Sequence, residues 1–236
     1  MKIFGWNARG LGSPRAFNTL LTHKQETNVE IMFLMETRCD QNKMELWRVK
    51  LGYTGKIVVS TVRKSGGLYL FWDKRVDLFL LSFSMGHIDV RIQGANNGKW
   101  RFTGFYGNPD KAQRANSWSL LRRLAGLSRL PWVCLGDFNE ILSDDEKRGG
   151  RQKNWRDILA FREAIFYCNL EDLGFVGDKY TWCNKRNGDE LMMERLDRSF
   201  GNKEWEHLFP SYNVRHLDYW NSYHRLVVLN FSKNLS

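Results

Sequence analysis

Apolar residues along the chain fall mostly into short runs or alternating patterns that are separated by Gly, Asn, Asp or Lys. Runs of about four to eight residues with such boundaries are typical of β-strands. The strands that this pattern predicts cover residues 2–7, 30–36, 65–72, 76–83, 87–93, 100–107, 132–139, 180–184, 193–200 and 225–231.

Three longer segments predict helices. The first has Ser13 as its N-cap and Pro14 at its first helical position, and it runs to about Glu26. The other two cover about 113–127 and 155–169. Because most consecutive strands have no helix between them, we expect an α+β layered fold and not a doubly wound parallel sheet. Helices would then cover the outer faces of two packed sheets.

Composition indicates one folded domain. Hydrophobic residues make up 42% of the chain and aromatic residues 14%, which is enough apolar surface for a sizeable core and excludes a disordered chain. The chain contains no internal repeat or low-complexity stretch, and its four prolines are scattered. We therefore expect a single domain over residues 1–236.

The charge balance is strongly basic. Thirty-six Lys and Arg residues stand against 26 Asp and Glu, a formal net charge of +10. Such an excess attracts polyanions, so nucleic acid is the leading partner. The alternative is a charge that only keeps the protein soluble.

The four cysteines, Cys39, Cys134, Cys168 and Cys183, form no CxxC pair and lack a neighbouring His at zinc-finger spacing. We expect no structural zinc site and a reducing compartment. The N-terminal residues do not resemble a secretory signal, and no apolar stretch approaches the 18 or so residues that span a bilayer. No membrane partner is expected.

Polar residues stand at the edges of several apolar strands. Each one alone can be a solvated strand end, a turn former or a surface ion pair. Together they supply carboxylates, amides and one imidazole, a set that suits metal-assisted phosphodiester hydrolysis. These residues are Asn7, Glu36, Asp137, Asn139, Asp197 and His224.

The carboxylate of Glu36 and the amide oxygen of Asn7 are a plausible site for a hard cation such as Mg²⁺, which prefers oxygen ligands. Asp137 can align an attacking water, and Asn139 can hold that water or the phosphate. His224, the histidine before the apolar run that starts at Leu226, can also be a strand cap.

Asp197 can keep His224 in one tautomer, so that the imidazole stabilises the pentacoordinate phosphorus. Alternatively, Asp197 stands between two arginines and can be merely part of a surface ion pair.

Nine short motifs occur in order along nearly the whole chain and resemble those of a known family. They are WNARGLG, FLMETR, SGGLYLFW, GFYGNP, LGDFNEIL, EKRGG, YTWCN, ERLDR and SYHRLVVL. The ordered set is similar to the endonuclease/exonuclease/phosphatase superfamily, in its DNase I-like and apurinic-endonuclease-like group. Among its members, the sequence most resembles the endonuclease domains of plant non-LTR retrotransposons of the LINE type.

The resemblance implies a four-layer αββα sandwich of two mainly antiparallel sheets, with Mg²⁺ or Mn²⁺ as cofactor and DNA as substrate. The DNA would be nicked to leave a 3′-hydroxyl that primes reverse transcription, and a reverse transcriptase domain would belong to the same parent polyprotein. It also implies a monomer that acts in the nucleus, with the cytoplasm as the alternative.

The motifs also assign roles. By resemblance, Asn7 and Glu36 are the metal-site pair, and Tyr106 in GFYGNP is the active-site tyrosine that touches phosphate. Without the family, Tyr106 would be interpreted as a packed core aromatic. Asp137 and Asn139 match the water-orienting acid and its amide partner, while Asp197 and His224 match the family's Asp–His pair.

Two positions depart from the family pattern. The chain has Ser222-Tyr223-His224 where the family commonly has Ser-Asp-His, and a phenol with a pKa of about 10 cannot replace a carboxylate as a metal ligand at neutral pH. Arg9 stands where apurinic endonucleases have an acid. We therefore hypothesise a protein that binds DNA but nicks it slowly or not at all.

Two other functions stay open. One is a catalytically inactive DNA-binding remnant of such a domain. The other is a phosphoesterase of the same superfamily, a phosphatase for inositol lipids or a sphingomyelinase, against which the net charge of +10 argues.

DNA contacts are expected mainly from basic residues that flank the site. The segment 146–157 offers Lys147, Arg148 and Arg151, either as a loop that grips the backbone or as a solvated lead-in to a helix. The segment 181–190 offers Lys185 and Arg186. Its Trp182 can enter a groove or pack in the sheet.

Overall fold

The computed structural model describes residues 1–11, 14–60, 67–94, 98–219 and 222–232. In this part of the chain the helices are α1 (Pro14–Thr27), α2 (Gln41–Lys50), α3 (Arg114–Gly126), α4 (Trp155–Tyr167) and α5 (Lys203–Leu208). The strands are β1 (Lys2–Asn7), β2 (Ile31–Met35), β3 (Gly55–Val59), β4 (Leu68–Trp72), β5 (Asp77–Ser84), β6 (His87–Gln93), β7 (Lys99–Tyr106), β8 (Trp132–Asp137), β9 (Lys147–Arg148), β10 (Glu171–Asp172), β11 (Trp182–Cys183), β12 (Met193–Glu194), β13 (Asp197–Gly201), β14 (Ser211–His216) and β15 (Val227–Ser232).

These strands form two six-stranded sheets and one small sheet. The first sheet has the order β14-β15-β1-β2-β4-β3, and the second has the order β10-β13-β8-β7-β6-β5. The small sheet has the order β11-β12-β9. Most neighbours are antiparallel, and each large sheet contains one parallel pair, β1 with β2 and β7 with β8.

The two parallel pairs position the site. A parallel connection must cross over the sheet, usually through a helix, and α1 makes this crossing in the first sheet while α3 makes it in the second. Parallel neighbours end at the same edge of a sheet. Asn7 is accordingly the register partner of Met35, and Tyr106 is that of Asp137.

A dry core between the two large sheets holds them together. Phe33 on the first sheet meets Phe102 on the second edge-to-face, with ring centroids 6.5 Å apart. Both side chains are fully buried, and burying a side chain of this size contributes about 1.5–3 kcal/mol. Further strand residues from both sheets complete this core.

Helices cover the outer faces of both sheets. On the first sheet, Leu20 of α1 and Trp47 of α2 pack in one cluster with strand residues such as Trp6. On the second sheet, Trp118 of α3 and Phe161 of α4 stack with ring centroids 4.5 Å apart. The order of layers is helix, sheet, sheet, helix, so the predicted α+β four-layer sandwich is confirmed.

The sequence pattern missed four larger elements: α2, β3, α5 and β14. In α2 only Met44 and Trp47 are buried, so its apolar stripe is too narrow to stand out. The strand β3 is mostly half-exposed, and β14 has only two buried residues. The strand predicted over 193–200 is in fact two strands, β12 and β13, that belong to different sheets.

Some predictions fall on residues outside the described ranges. These are the N-cap at Ser13 and the first two residues of the strand predicted over 65–72. Among the helices of the described ranges, none is both long enough and apolar enough to cross a membrane.

Candidate active site

The predicted site residues come together at the edge where the parallel strands end. Asn7 closes β1, Glu36 directly follows β2, and Tyr106 and Asp137 close β7 and β8. The two sheets face each other here, and the Asn7 side-chain nitrogen donates across the interface to Asp137 Oδ2 at 2.9 Å. This hydrogen bond joins the polar ends of the two sheets.

Glu36 is the acceptor for side chains from both sheets. Its Oε1 accepts from the Tyr106 hydroxyl at 2.5 Å and from Asn7 Nδ2 at 3.2 Å. Burial raises the pKa of Tyr106, and the carboxylates of Glu36 and Asp137 raise it further. The phenol therefore stays protonated and acts as a donor. Arg38 lies 3.3 Å from the other oxygen, Glu36 Oε2.

Asp137 is fully buried and held by two donors. Besides Asn7, the backbone N–H of Asn139 donates to its Oδ1 at 2.8 Å. Burial raises the pKa of the Asp137 carboxyl above its usual range, and neighbouring Asp197 adds to this effect while His224 opposes it. A carboxylate with a raised pKa is a better proton acceptor near neutral pH.

His224 and Asp197 form a buried pair beside Asp137. The Nδ1 of His224 lies 2.9 Å from Asp197 Oδ2 and 3.8 Å from Asp137 Oδ2. Burial alone would lower the pKa of His224, but Asp197 and Asp137 outweigh it and raise the pKa to about 8. The imidazole is thus oriented by one carboxylate and held in the charged form at neutral pH.

The backbone at this edge is unusual. Arg9, Glu36, Arg38 and Asn139 all have positive φ angles, between 44° and 55°. Non-glycine residues rarely adopt this left-handed conformation, and such strain tends to occur at functional sites. The side chain of Asn139 is tied back by donating to the Gly107 carbonyl at 2.8 Å.

Two cavities meet at the site. One of about 560 Å³ extends toward Asn108 and Asn116, and one of about 240 Å³ extends toward Trp182 and His224. Both are lined by Arg9, Glu36 and Pro109. A larger cavity of about 660 Å³ lies beside α4 and contains none of the predicted site residues. The two cavities that meet at Glu36 together form a path for an extended ligand.

The donor set fits a hard divalent cation. Asp137, Asp197 and His224 each offer one ligand atom, and these atoms lie within 4.8 Å of one another. The nitrogen His224 Nδ1 is already bonded to Asp197, so the ligand atoms left over are mainly carboxylate oxygens. Asn7 and Glu36, the pair predicted to bind metal, are adjacent to this cluster. Oxygen donors of this kind suit Mg²⁺ or Mn²⁺.

Tyr223 does not line either of the two cavities. Its side chain is 39% exposed, with the Arg9 guanidinium 4.9 Å and the Lys185 ammonium 5.3 Å from the ring centroid. The Tyr223 side chain therefore leaves the cavity between Glu36 and His224 open.

The residues predicted to contact DNA differ in exposure. Arg148, Arg151, Lys185 and Arg186 are exposed, and Arg186 pairs with Glu190 at 3.3 Å. Lys147 is mostly buried, and its ammonium lies 2.6 Å from Glu194.

Lys153, in the same segment, bridges Glu140 at 3.0 Å and Glu194 at 2.8 Å. Part of the basic segment is therefore neutralised inside the protein. Trp182 packs beside the small apolar cluster that contains Leu196.

The sequence pattern did not identify two hydroxyl residues that hold the site in place. Ser222 donates to the Asn7 carbonyl at 2.7 Å and accepts from the His224 N–H at 3.1 Å. Thr181 accepts from the Asp197 N–H at 2.8 Å. In the sequence only their positions mark them. Ser222 stands two residues before His224, and Thr181 belongs to the motif YTWCN.

The region from residue 5 to residue 224 matches the model of the Endonuclease/Exonuclease/phosphatase family. The chain belongs to this family. The predicted family membership is therefore confirmed. No curated protein matches the sequence at a significant level.

Solved structures with the same fold cover almost the whole chain. The endonuclease domain of TRAS1, a telomere-specific non-LTR retrotransposon, has a TM-score of 0.70 at 16% identity and covers 99% of both chains. The 3′-5′ exonuclease NExo from Neisseria meningitidis has a TM-score of 0.72 at 18% identity, covering 98% of this chain and 99% of its own.

The AP endonuclease LMAP from Leishmania major has a TM-score of 0.73 at 14% identity, covering 99% of this chain and 87% of its own. At these identities the likeness shows a shared DNase I-like fold.

Proposed function

We propose that this protein is a divalent-metal-dependent endonuclease that hydrolyses phosphodiester bonds in DNA and nicks one strand. The observation that carries the proposal is the convergence of Glu36, Asp137 and the Asp197–His224 pair at one edge of two packed sheets. Family membership supports the hydrolytic chemistry. The net charge of +10 favours a polyanionic substrate.

Glu36 would hold the cation, with Asp137 close by. The amide nitrogen of Asn7 faces both carboxylates and its oxygen accepts from the Arg9 N–H, so Asn7 would join Glu36 as an oxygen ligand once its amide turns over. Such a cation draws charge from the phosphate oxygens and makes the phosphorus more open to attack. Tyr106, hydrogen-bonded to Glu36, fixes the orientation of that carboxylate. Tyr106 also lines the larger of the two cavities that meet at Glu36, where its hydroxyl would contact a phosphate group.

Asp137 accepts a proton from the attacking water in this proposal. Its buried carboxylate and raised pKa suit that role, and Asn139 helps to place the water or the phosphate. His224, oriented by Asp197, lines the smaller of the two cavities that meet at Glu36 and, as a cation, stabilises the negative charge that builds on the phosphate oxygens.

The flanking basic residues would bind the DNA backbone. Arg148, Arg151 and Lys185 are exposed, so they are the best placed of the predicted contacts, while Lys147 and Arg186 first have to exchange their carboxylate partners for phosphate. Phosphate contacts of this kind position the duplex without reading its sequence.

The biological setting is also a proposal. Likeness to the TRAS1 endonuclease domain and the resemblance to plant LINE motifs support a retrotransposon-type endonuclease. Such a domain would leave a 3′-hydroxyl for a reverse transcriptase from the same polyprotein and would act in the nucleus as a monomer.

The experiment is a nicking assay on supercoiled plasmid with Mg²⁺ or with EDTA, over enzyme concentrations from substoichiometric to excess. We expect open-circular product only with Mg²⁺, and we expect DNA polymerase to extend the nicks directly because they carry 3′-hydroxyls. Glu36→Ala serves as the inactive control. Nicking that persists in EDTA or in Glu36→Ala would overturn the proposal.

A second function, DNA binding without catalysis, is favoured by one observation. Tyr223 stands where the family has an acid, and a phenol is a poor metal ligand. Calorimetric titration with Mn²⁺ separates the two functions. The endonuclease requires a Mn²⁺ site that is lost in Glu36→Ala, whereas a remnant that cannot bind metal gives no heat of binding in either protein.

A further inference from the structure

Two cations share one aromatic ring at the edge of the active site. The Arg9 guanidinium and the Lys185 ammonium lie 4.9 Å and 5.3 Å from the centroid of the Tyr223 ring. Both distances are within the range of about 6 Å over which a ring attracts a cation. Arg9 comes from the loop after β1 and Lys185 from the loop after β11, so the ring gathers charge from two distant segments.

Neither cation has a carboxylate partner among the residues that the structure describes. Nearby cations differ in this respect, since Arg38 pairs with Glu36 and Arg186 pairs with Glu190. Two like charges near one ring repel each other, and the ring compensates only part of this cost. An anion in contact with these cations would offset the repulsion, so this arrangement is suited to an anionic ligand.

The backbone holds this group of residues in place. Arg9 has a φ of 44°, and its N–H donates to Asn7 Oδ1 at 3.2 Å. The Tyr223 carbonyl accepts from the Cys183 N–H at 3.0 Å, and the neighbouring His224 pairs with Trp182 in an isolated antiparallel bridge. The ring and its two cations are therefore tied to the same strand ends that carry the active-site residues.

The position of Arg9 connects the cluster with the reacting phosphate. Its side chain lines both cavities, together with Glu36 in each and with His224 in the smaller one. A DNA strand whose reacting phosphodiester lies between Glu36 and His224 would carry its next phosphate past this side chain. Phosphate is the anion that the position of Arg9 favours, and guanidinium groups bind phosphate well.

We propose that Arg9 and Lys185, positioned by the ring of Tyr223, form a binding site for a DNA backbone phosphate next to the reacting phosphodiester. The proposal rests on the proposed endonuclease function and deepens it. Tyr223 is a positioning residue in this arrangement, since its ring holds the cations and does not touch the reacting atoms. In place of the family's acid, this chain has a residue that strengthens the hold on DNA.

The test measures DNA binding and not cleavage. A fluorescein-labelled duplex of mixed sequence is titrated with the full chain in EDTA, and the change in anisotropy is followed from about 50 to 200 mM salt. Because no turnover occurs in EDTA, the result stands whether or not the protein nicks DNA, and the nicking assay tests the endonuclease function separately.

We expect Arg9→Ala and Lys185→Ala each to weaken binding by about three- to tenfold at the lower salt and to reduce the slope of log K against log salt by about one. Tyr223→Leu, which removes the ring, should also weaken binding and reduce this slope. Tyr223→Phe should bind like the unaltered protein. A purely structural role for Tyr223 would not move the salt slope.

Lys50→Ala is the matched control. Lys50 also lies over an aromatic ring, 5.8 Å from the centroid of Phe17, but it belongs to α2 on the outer layer. Its removal takes away the same charge and should leave the salt slope unchanged. Thermal melts of all variants check that they fold. Unaltered slopes in folded Arg9→Ala and Lys185→Ala would overturn the site, and an unaltered slope in Tyr223→Leu would overturn the role of the ring.

Discussion

Asp137 and Asp197 are register partners across the antiparallel pair of β8 and β13. The two residues are 0% and 2% exposed, respectively, so two carboxylates lie next to each other out of contact with water. Such a pair is costly unless a cation balances it. His224, with its Nδ1 between them, supplies that charge. The strand register therefore makes the imidazole a necessary part of the site.

Asp197→Asn should separate the orienting role of Asp197 from the role of Asp137. Without the carboxylate, the pKa of His224 falls below about 8 in the metal-free protein, because Asp197 is the main group that raises it. Nicking should fall by about 10²- to 10³-fold, the range typical of a lost electrostatic contact with the transition state. An NMR titration of the His224 ring and the plasmid assay measure the two effects. An unchanged His224 pKa would contradict this account of the pair.

Tyr106→Phe should reduce nicking while the fold stays intact. The variant loses the hydrogen bond from the hydroxyl to Glu36 at 2.5 Å. A hydrogen bond to a charged group contributes about 1.5–3 kcal/mol, which corresponds to a loss of about 10- to 100-fold in rate. Single-turnover nicking kinetics give the rate.

The control for Tyr106→Phe makes the same change far from the site. Tyr167 on α4 is 64% exposed, and Tyr167→Phe should nick like the unaltered protein. If both variants are equally active, the hydroxyl of Tyr106 has no role in the reaction, and its contact with Glu36 serves packing only.

Gly104→Ala should destabilise the interface between the two sheets. A Cβ at this position would lie 2.5 Å from Phe33 Cδ2, so the ring must move within a close-packed core. Overpacking of this kind costs about 1–3 kcal/mol in the free energy of unfolding.

At Gly126, the last residue of α3, an added Cβ meets nothing within 4 Å. Gly126→Ala should be neutral or stabilise by up to about 1 kcal/mol. Urea denaturation of both variants provides the comparison.

His216→Phe should make the protein less sensitive to acid. Burial lowers the pKa of His216 to about 4, and Arg195 contributes, although the Asp178 carbonyl and the carboxylates of Asp172 and Asp197 oppose the shift. Between pH of about 6.5 and 4 the unfolded chain binds a proton that the folded protein does not, so stability falls as the pH falls. A phenylalanine at position 216 cannot take up this proton. Its ring can keep the stacking on Phe175, whose ring centroid lies 4.8 Å from that of His216.

The measurement for His216→Phe is the free energy of unfolding at about pH 7 and pH 4.5, from urea denaturation. The variant should lose less stability between the two values than the unaltered protein, by about 1.4 kcal/mol for each pKa unit that separates the folded and unfolded states. His207→Phe, at an exposed position, is the control and should keep the full loss. Equal losses in all three proteins would show that His216 takes up its proton in the folded state.

The fold could be predicted from the sequence wherever a strand is buried on one or both faces. Strand β6 was predicted with its observed bounds, because its apolar residues alternate and its neighbours are turn formers. The small sheet was not predictable as a sheet, although β11 and β12 lie inside the strands predicted over 180–184 and 193–200. Its strands have two residues each, which is too short for a periodic signal, and they are held by contacts between residues far apart in sequence. The helix α5 is six residues long and lacks an apolar stripe for the same reason.

The site was predictable as a set of residues but not as a geometry. Polar side chains at strand ends are visible in the sequence, and the family motifs identify the same positions. The pairing of Asp137 with Asp197 depends on strand register, which the sequence does not specify. The position of Tyr223 could not be foreseen either, because its contacts with Arg9 and Lys185 join segments that lie far apart along the chain.

The central claim is that residues from both sheets act as one catalytic unit, and a double-mutant cycle on plasmid nicking with Mg²⁺ tests it most directly. Groups that act as a unit are strongly non-additive. We predict that Glu36→Ala at the end of the first sheet and Asp137→Asn on the second sheet each lower the nicking rate by about 10³-fold or more, and that the double variant is slower than the slower single variant by less than about tenfold. Losses that multiply in the double variant, or an unaltered protein that does not nick at all, would contradict the account.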